Sequence, residues 1–261
     1  MSVKYYRRAL PLGGAVLVFF SLLLSPSASY AMHISEGFLP FQWAALWWVL
    51  TIPFLVLGYR ALHKITKEQP ELKLLLALAA AFGFLLSALK IPSVTGSCSH
   101  PTGIGLGTIL FGPSVMSIIG FLVLVFQALL LAHGGLTTLG ANAFAMAIAG
   151  NWSTYVIYII LKKTGREKLA IFLAVALGSL FAYLVTSVQL AIAFPAAQGG
   201  IVLSFMKFAG IFALTQIPLS ISEGLLTVMV WNWINAYAAE DLERLKPLSQ
   251  KGLSESGETG T

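Results

Sequence analysis

Long apolar stretches separated by short basic loops constrain this chain more than any other feature. Charged residues make up only 10% of its 261 residues, whereas soluble domains contain about 25%. Mean hydropathy is +0.85. We therefore predict an all-α integral membrane protein. Six stretches reach or approach the roughly 20 residues that cross a hydrocarbon core as a helix: Phe41–Tyr59, Leu72–Lys90, Ser114–Ala132, Leu139–Leu161, Leu169–Phe194 and Phe205–Trp233.

A shorter apolar stretch, Gly103–Phe111, decides the number of crossings. Basic residues cluster in Arg60–Lys73, Lys162–Lys168 and Arg244–Lys246, and the positive-inside rule places all three clusters on the cytoplasmic side. If the amino terminus lies outside the cell, only an odd number of crossings places all three clusters, and the carboxyl terminus, on the cytoplasmic side. We predict about seven transmembrane helices in the cell membrane and a cytoplasmic carboxyl terminus. The net charge of +6 comes from these loops and does not indicate nucleic-acid binding.

The amino-terminal residues have the three parts of a secretory signal peptide. Basic residues precede an apolar stretch, Ala9–Leu24, and a small-residue cleavage signal ends at Ala31. We therefore predict that residues 1–31 are a removed signal peptide. Residues 32–245 are expected to form a membrane-embedded metal-capture domain, and residues 246–261 a flexible cytoplasmic tail.

Cleavage after Ala31 would create an amino terminus with specific metal chemistry. The amine of Met32 and the amide and imidazole nitrogens of His33 can close two fused chelate rings on one cation. Such nitrogen ligation suits nickel, copper or cobalt and suits magnesium or calcium poorly. The alternative is that a Met-His pair at this position is coincidental and His33 is only a polar residue at the membrane face.

The other histidines fall on both predicted sides of the membrane. His100 follows a small-residue loop on the outer side, where it is either a fourth ligand, which we favour, or simply loop polarity. His133 lies in an outer glycine-rich turn, and we expect a hydrogen bond there or an outer-shell role. His63 lies among cytoplasmic lysines and is expected to be solvated. The single Cys98 argues against a disulfide framework or a zinc cluster.

Three motifs resemble the CbiM/NikM family of substrate-capture components of energy-coupling factor transporters. They are Met32–Pro40, Gly96–Gly103 and Gln127–Asn142. The resemblance implies a four-nitrogen site formed by Met32, His33 and His100, and an extra amino-terminal helix before the six that such components usually have. We expect Ser99 and Asn142, like His133, as possible outer-shell residues. The resemblance also implies that Ala77 and Ala81, two small residues spaced four apart, pack against a membrane partner.

The resemblance also implies the function and the partners. The chain has no phosphate-binding loop for ATP hydrolysis, so the expected partners are a transmembrane coupling subunit, ATPase subunits and a small CbiN-like membrane protein. The expected substrate is Co²⁺, with Ni²⁺ as the alternative, and no prosthetic group is expected. A membrane metalloenzyme or a proton-coupled carrier is disfavoured because a zinc-protease motif and recognisable repeats are absent. The role of Glu223 stays open.

Overall fold

The computed structural model describes residues 33–89, 91–92 and 98–238, and this part of the chain is almost entirely helical. The predicted signal peptide, Met32 and the predicted tail lie outside the described residues. The helices are α1 Phe41–Glu68, α2 Leu72–Ala88, α3 Gly105–Phe111, α4 Pro113–Leu131, α5 Leu139–Lys162, α6 Glu167–Ala193 and α7 Gly200–Tyr237.

Five of these helices, α1, α4, α5, α6 and α7, are long and apolar enough to cross a membrane. Many large apolar side chains on them are exposed, including Val49 at 65% and Leu130 at 67%. Since such surfaces are stable only in lipid or against another protein, the prediction of a multi-pass, all-α membrane protein is confirmed. Helix α2 has 17 residues and α3 only seven, so each is shorter than an ordinary crossing.

The bundle has two chemically different ends. The rings of His33, His100 and His133 meet at one end, which we call the histidine end. Helix α1 begins eight residues after His33 and has Lys67 in its last turn, and α5 begins six residues after His133 and ends at Lys162. A helix of 28 residues such as α1 is about 42 Å long. The basic residues at the ends of α1 and α5 therefore lie at the opposite end, which we call the basic end.

A broken element connects the two ends between α2 and α4. Strand β1, Ile91–Pro92, pairs antiparallel with strand β2, Cys98–Ser99, and residues 100–104 continue without helical structure to α3. In α3, Leu106 and Ile109 pack against Trp231 of α7 towards the basic end. Here the chain therefore runs from the histidine end towards the basic end first as a non-helical segment and then as a short helix.

Asn151 joins the short helix to its neighbours. It follows Phe144–Gly150, a π-helical segment within α5, and its side chain is buried. The carboxamide oxygen accepts from the Thr108 hydroxyl of α3. The carboxamide nitrogen donates to the Pro113 carbonyl at 2.7 Å and to the Ser117 hydroxyl at 3.2 Å, both in α4. One amide thus ties three helices together where α3 turns into α4.

We predict that Asn151→Leu lowers the free energy of unfolding by about 1–3 kcal/mol, because buried polar partners lose their hydrogen bonds. Thermal unfolding in detergent measures this effect. Asn235→Leu is the matched control, since Asn235 is exposed and its side chain donates to the Trp231 carbonyl of its own helix. Equal unfolding temperatures for the two variants would contradict the role assigned to Asn151.

Candidate metal centre

Three buried histidines from separate parts of the sequence form one cluster at the histidine end. Their ring centroids lie 5.0 Å apart for His33 and His100, 5.1 Å for His33 and His133, and 4.8 Å for His100 and His133. One ligand atom from each ring lies within 4.8 Å of the others. Since metal–imidazole bonds are about 2.0–2.1 Å long, nitrogens on opposite sides of one ion are about 4 Å apart, and the cluster is close to that size.

His33 is positioned through the backbone of the residue that follows it. The Asn142 side chain of α5 accepts from the Ile34 amide at 2.8 Å and donates to the Ile34 carbonyl at 3.0 Å. The Thr138 hydroxyl donates to the same carbonyl at 2.6 Å. Asn142 and Thr138 are both buried. The segment before α1 is therefore held against the start of α5 through the backbone of Ile34.

The turn before α5 closes over this segment. Gly135 approaches so closely that a Cβ there would lie 2.4 Å from the Cα of Glu36, so only glycine fits without a shift. The Thr137 amide donates to the Glu36 carboxylate, and the Gly37 amide donates to the Thr137 hydroxyl at 3.1 Å. Hydrogen bonding from the Thr137 side chain lowers the pKa of Glu36 below its ordinary value. This contact is therefore kept at neutral pH and is lost only as the pH falls through that lowered pKa.

His100 is presented by the chain that leaves strand β2. The preceding Ser99 is buried, and its hydroxyl lies 2.9 Å from the Thr215 hydroxyl of α7. The Nδ1 atom of His100 is 2.7 Å from the Pro101 carbonyl. Because a carbonyl can only accept, Nδ1 carries the proton, and Nε2 is left with the lone pair that a metal requires. This is the tautomer expected of a ligand.

His133 comes directly after the end of α4. Helix α4 closes at Ala132, which has a left-handed φ of 47°, and the His133 amide donates to the Gln127 carbonyl at 3.2 Å. This cap turns the chain inward, so that the side chain of His133 is only 3% exposed. The sequence suggested an outer role for His133, but its ring lies as close to the other two as they lie to each other.

The remaining predicted residues fall into two groups. Of the predicted outer-shell residues, Asn142 bonds to the backbone of Ile34, next to His33, and Ser99 precedes His100 and contacts Thr215. Ala77 and Ala81 are exposed on α2, outside the cluster. Sequence analysis missed Thr138 and left Glu223 without a role. Three imidazoles, with no carboxylate among the described residues of the cluster, are a donor set that suits a late transition metal better than magnesium or calcium.

Comparison with known families decides the kind of protein. The model for the cobalt uptake substrate-specific transmembrane region, CbiM, matches residues 33–240. The chain belongs to the CbiM family. A cobalt transport protein CbiM from a Nostoc species is 62% identical over 94% of this chain and 93% of its own length. The CbiM of Chlorobium limicola is 60% identical over 91% and 94%. The family groups the chain with transport proteins and not with enzymes.

Solved structures agree with this family assignment. A crystal structure of a truncated transition metal transporter matches with a TM-score of 0.68 and 26% identity over 78% of this chain and 99% of that chain. A second transition metal transporter matches with the same TM-score and 25% identity, over 78% and 92%. The CbiM fold described above is thus shared with transporters whose sequences have diverged considerably.

We predict that Asn142→Asp weakens metal binding about tenfold or more, in the range known for residues that orient ligands. The second carboxylate oxygen would face the Ile34 carbonyl, where the wild-type amide donates. Isothermal titration with Co²⁺ measures the change. Asn232→Asp, on an exposed site of α7, is the control for the charge change, and similar affinities for both variants would contradict the role of Asn142.

Proposed function

We propose that this chain is the substrate-specific component of an ATP-driven energy-coupling factor importer and captures Co²⁺ from outside the cell. The observation that carries the proposal is the meeting of three buried imidazoles from distant segments in a chain of the CbiM family. Relatives that cover more than nine-tenths of the chain are named cobalt transport proteins. A cluster of nitrogen donors, rather than carboxylates, suits that class of ion.

The proposed ligands are four nitrogens: the Met32 amine, the amide and imidazole of His33, and the His100 imidazole. Cleavage after Ala31 frees the amine and places it next to the His33 amide. The burial of His33 and His100 and the tautomer of His100 support this set. The His133 ring lies 4.8 Å from the His100 ring, where it could hydrogen-bond to a ligand or offer a further nitrogen to the ion.

The proposed topology has seven crossings, with the histidine end outside and the basic end in the cytoplasm. Helix α2 makes a short crossing, and residues 98–111 make another with extended chain followed by α3. Non-helical backbone is tolerated at membrane depth where protein covers it, and Thr102, Gly105 and Leu106 are all buried. The lysines and arginines at the basic end support this orientation.

Transport requires partners in this proposal, because ATP is hydrolysed elsewhere. We assign that role to ATPase subunits coupled through a transmembrane subunit, with a small CbiN-like protein as a further component. The exposed Ala77 and Ala81 on α2 offer the coupling subunit a surface that a helix backbone can approach closely. Tilting of the bundle by these partners would turn the loaded histidine end towards the cytoplasm.

Nickel is the second candidate substrate, and the planar nitrogen set favours it. Two observations favour cobalt. The relatives described above are named for cobalt, and His133 offers a fifth nitrogen beside the four proposed ligands. Axial ligation is disfavoured in square-planar nickel complexes, whereas Co²⁺ accepts five or six ligands. Competition titrations of the two ions on one preparation decide between them.

We predict that His33→Ala and His100→Ala each weaken Co²⁺ binding by more than about 100-fold, beyond the effect usual for outer-shell residues. His133→Ala should cause a smaller loss, because the four proposed ligands stay in place. Titration calorimetry on the purified mature chain measures all three. His63→Ala is the control, since His63 is exposed and stacks on Tyr59 near the basic end. Wild-type binding by His33→Ala would refute the proposed function.

A second prediction tests the amine. An alanine inserted between Ala31 and Met32, with cleavage still after Ala31, separates the free amine from His33 by one more residue. The fused chelate rings can then no longer form, and affinity should fall by at least about tenfold. Intact-mass analysis confirms the cleavage position, and calorimetry measures the affinity. Unchanged affinity would mean that the terminal amine is not a ligand.

A further inference from the structure

Glu223 is a carboxylate in the middle of α7 that is only 2% exposed. Its four hydrogen bonds are unequally distributed. Three come from two consecutive residues of the segment after His100: the Thr102 amide at 3.0 Å, the Thr102 hydroxyl at 2.5 Å and the Gly103 amide at 2.8 Å. The fourth comes from the Ser179 hydroxyl of α6 at 3.1 Å. Glu223 therefore binds the segment that carries His100 more than it binds the neighbouring helix.

A buried carboxylate in a membrane bundle is costly and is usually functional. Glu223 has no basic partner among the described residues, and its donors are two backbone amides and two hydroxyls. All four donors are already engaged with its oxygens, so the arrangement is that of a clamp on the backbone and not that of a metal ligand. The clamped Thr102 is two residues from His100, so the clamp holds the segment that carries this histidine.

We propose that Glu223 is a positioning residue for metal capture, which fixes His100 at the metal centre by clamping Thr102 and Gly103 onto α7. This inference rests on the proposed function, since it takes His100 to be a ligand. The hydrogen bonds of Glu223 go to Thr102, Gly103 and Ser179. It acts through the backbone that leads from His100 to α3.

Two further contacts make the clamp effective. On the other side of His100, the Ser99 hydroxyl meets Thr215, eight residues before Glu223 in α7. Those eight residues rise about 12 Å along the helix, and three residues of chain reach at most about 10 Å. The segment from 99 to 102 therefore has little slack between its two anchors. Release at Glu223 would remove one anchor and let His100 withdraw.

Gly103 fixes the same segment against α2. Its φ is 71°, in the left-handed region, and a Cβ at Gly103 would lie 2.6 Å from the Cα of Gly83. The two backbones thus touch where the clamp acts, and the segment lies between α2 and α7. With this contact, the Gly103 amide faces the Glu223 carboxylate and has no freedom to turn elsewhere.

The test compares Glu223→Gln with the wild type on the purified full mature chain. A glutamine has one acceptor oxygen, and its NH₂ group would face amide donors. We expect the Kd for Co²⁺ to rise at least about tenfold. At saturating Co²⁺, the visible absorption spectrum of the bound ion should differ from that of the wild type, because the His100 nitrogen is displaced. A role confined to helix packing would leave the spectrum of the bound ion unchanged.

A pair of milder variants distinguishes the loop from the helix as the target of the clamp. Thr102→Val and Ser179→Ala each remove one hydroxyl donor from the same carboxylate. We expect Thr102→Val to raise the Kd several-fold with the same spectral shift, and Ser179→Ala to change it less than about twofold. These variants keep the test decisive if Glu223→Gln fails to fold. Thr227→Val, one turn further along α7, controls for substitution in this helix.

The outcomes separate the two proposals. If His33→Ala and His100→Ala bind Co²⁺ like the wild type, the proposed function is wrong. If those variants lose binding while Glu223→Gln and Thr102→Val keep the wild-type Kd and spectrum, only the role of Glu223 is wrong. A larger effect of Ser179→Ala than of Thr102→Val also overturns it, because the carboxylate would then serve the contact between α6 and α7.

Discussion

Hydrogen bonds from helix side chains to the backbone of non-helical segments determine the architecture of the histidine end. In an apolar environment, each unpaired backbone group costs several kcal/mol, so an extended segment can lie inside the bundle only where the helices supply partners. Asn142 bonds to both the amide and the carbonyl of Ile34, and Glu223 accepts from the amides of Thr102 and Gly103. The positions of His33 and His100 follow from these bonds, because each histidine is within two residues of a clamped one.

Apolar length predicted the helices well because a membrane crossing depends on few other properties. The differences have local causes. Helix α1 continues past Tyr59 to Glu68, since basic residues can extend a helix beyond the apolar layer. Helix α3 begins at Gly105 and not at Gly103, because Gly103 has a left-handed φ and its amide is bonded to Glu223. The π-helical segment of α5 has no counterpart in composition or periodicity and could not be predicted.

The candidate site could be predicted only in part. Ligand chemistry pointed to His33 and His100, and their rings lie 5.0 Å apart, although their ligand role remains a prediction. The position of His133 could not be read from the sequence, because it depends on the left-handed cap at Ala132 and on the contact between Glu36 and Thr137. Glu223 gave a signal as a lone carboxylate in an apolar stretch. Its partners Thr102 and Gly103 lie 121 and 120 residues away in the sequence, and no local pattern can predict contacts at that separation.

The charge of the bound ion gives a physical reason for the proposed ligand set. Three neutral imidazoles would carry a full double charge into a bundle with low dielectric constant, and the described cluster contains no carboxylate to offset it. Glu223 is not available as a ligand, because its oxygens are already bonded to four donors. Loss of the proton from the His33 amide would supply one negative charge at the metal itself. Amide ligation needs a metal that can displace this proton, and late first-row divalent ions do so far more readily than Mg²⁺ or Ca²⁺. Selection against the abundant cations would then follow from the lack of a carboxylate ligand among the described residues of the cluster.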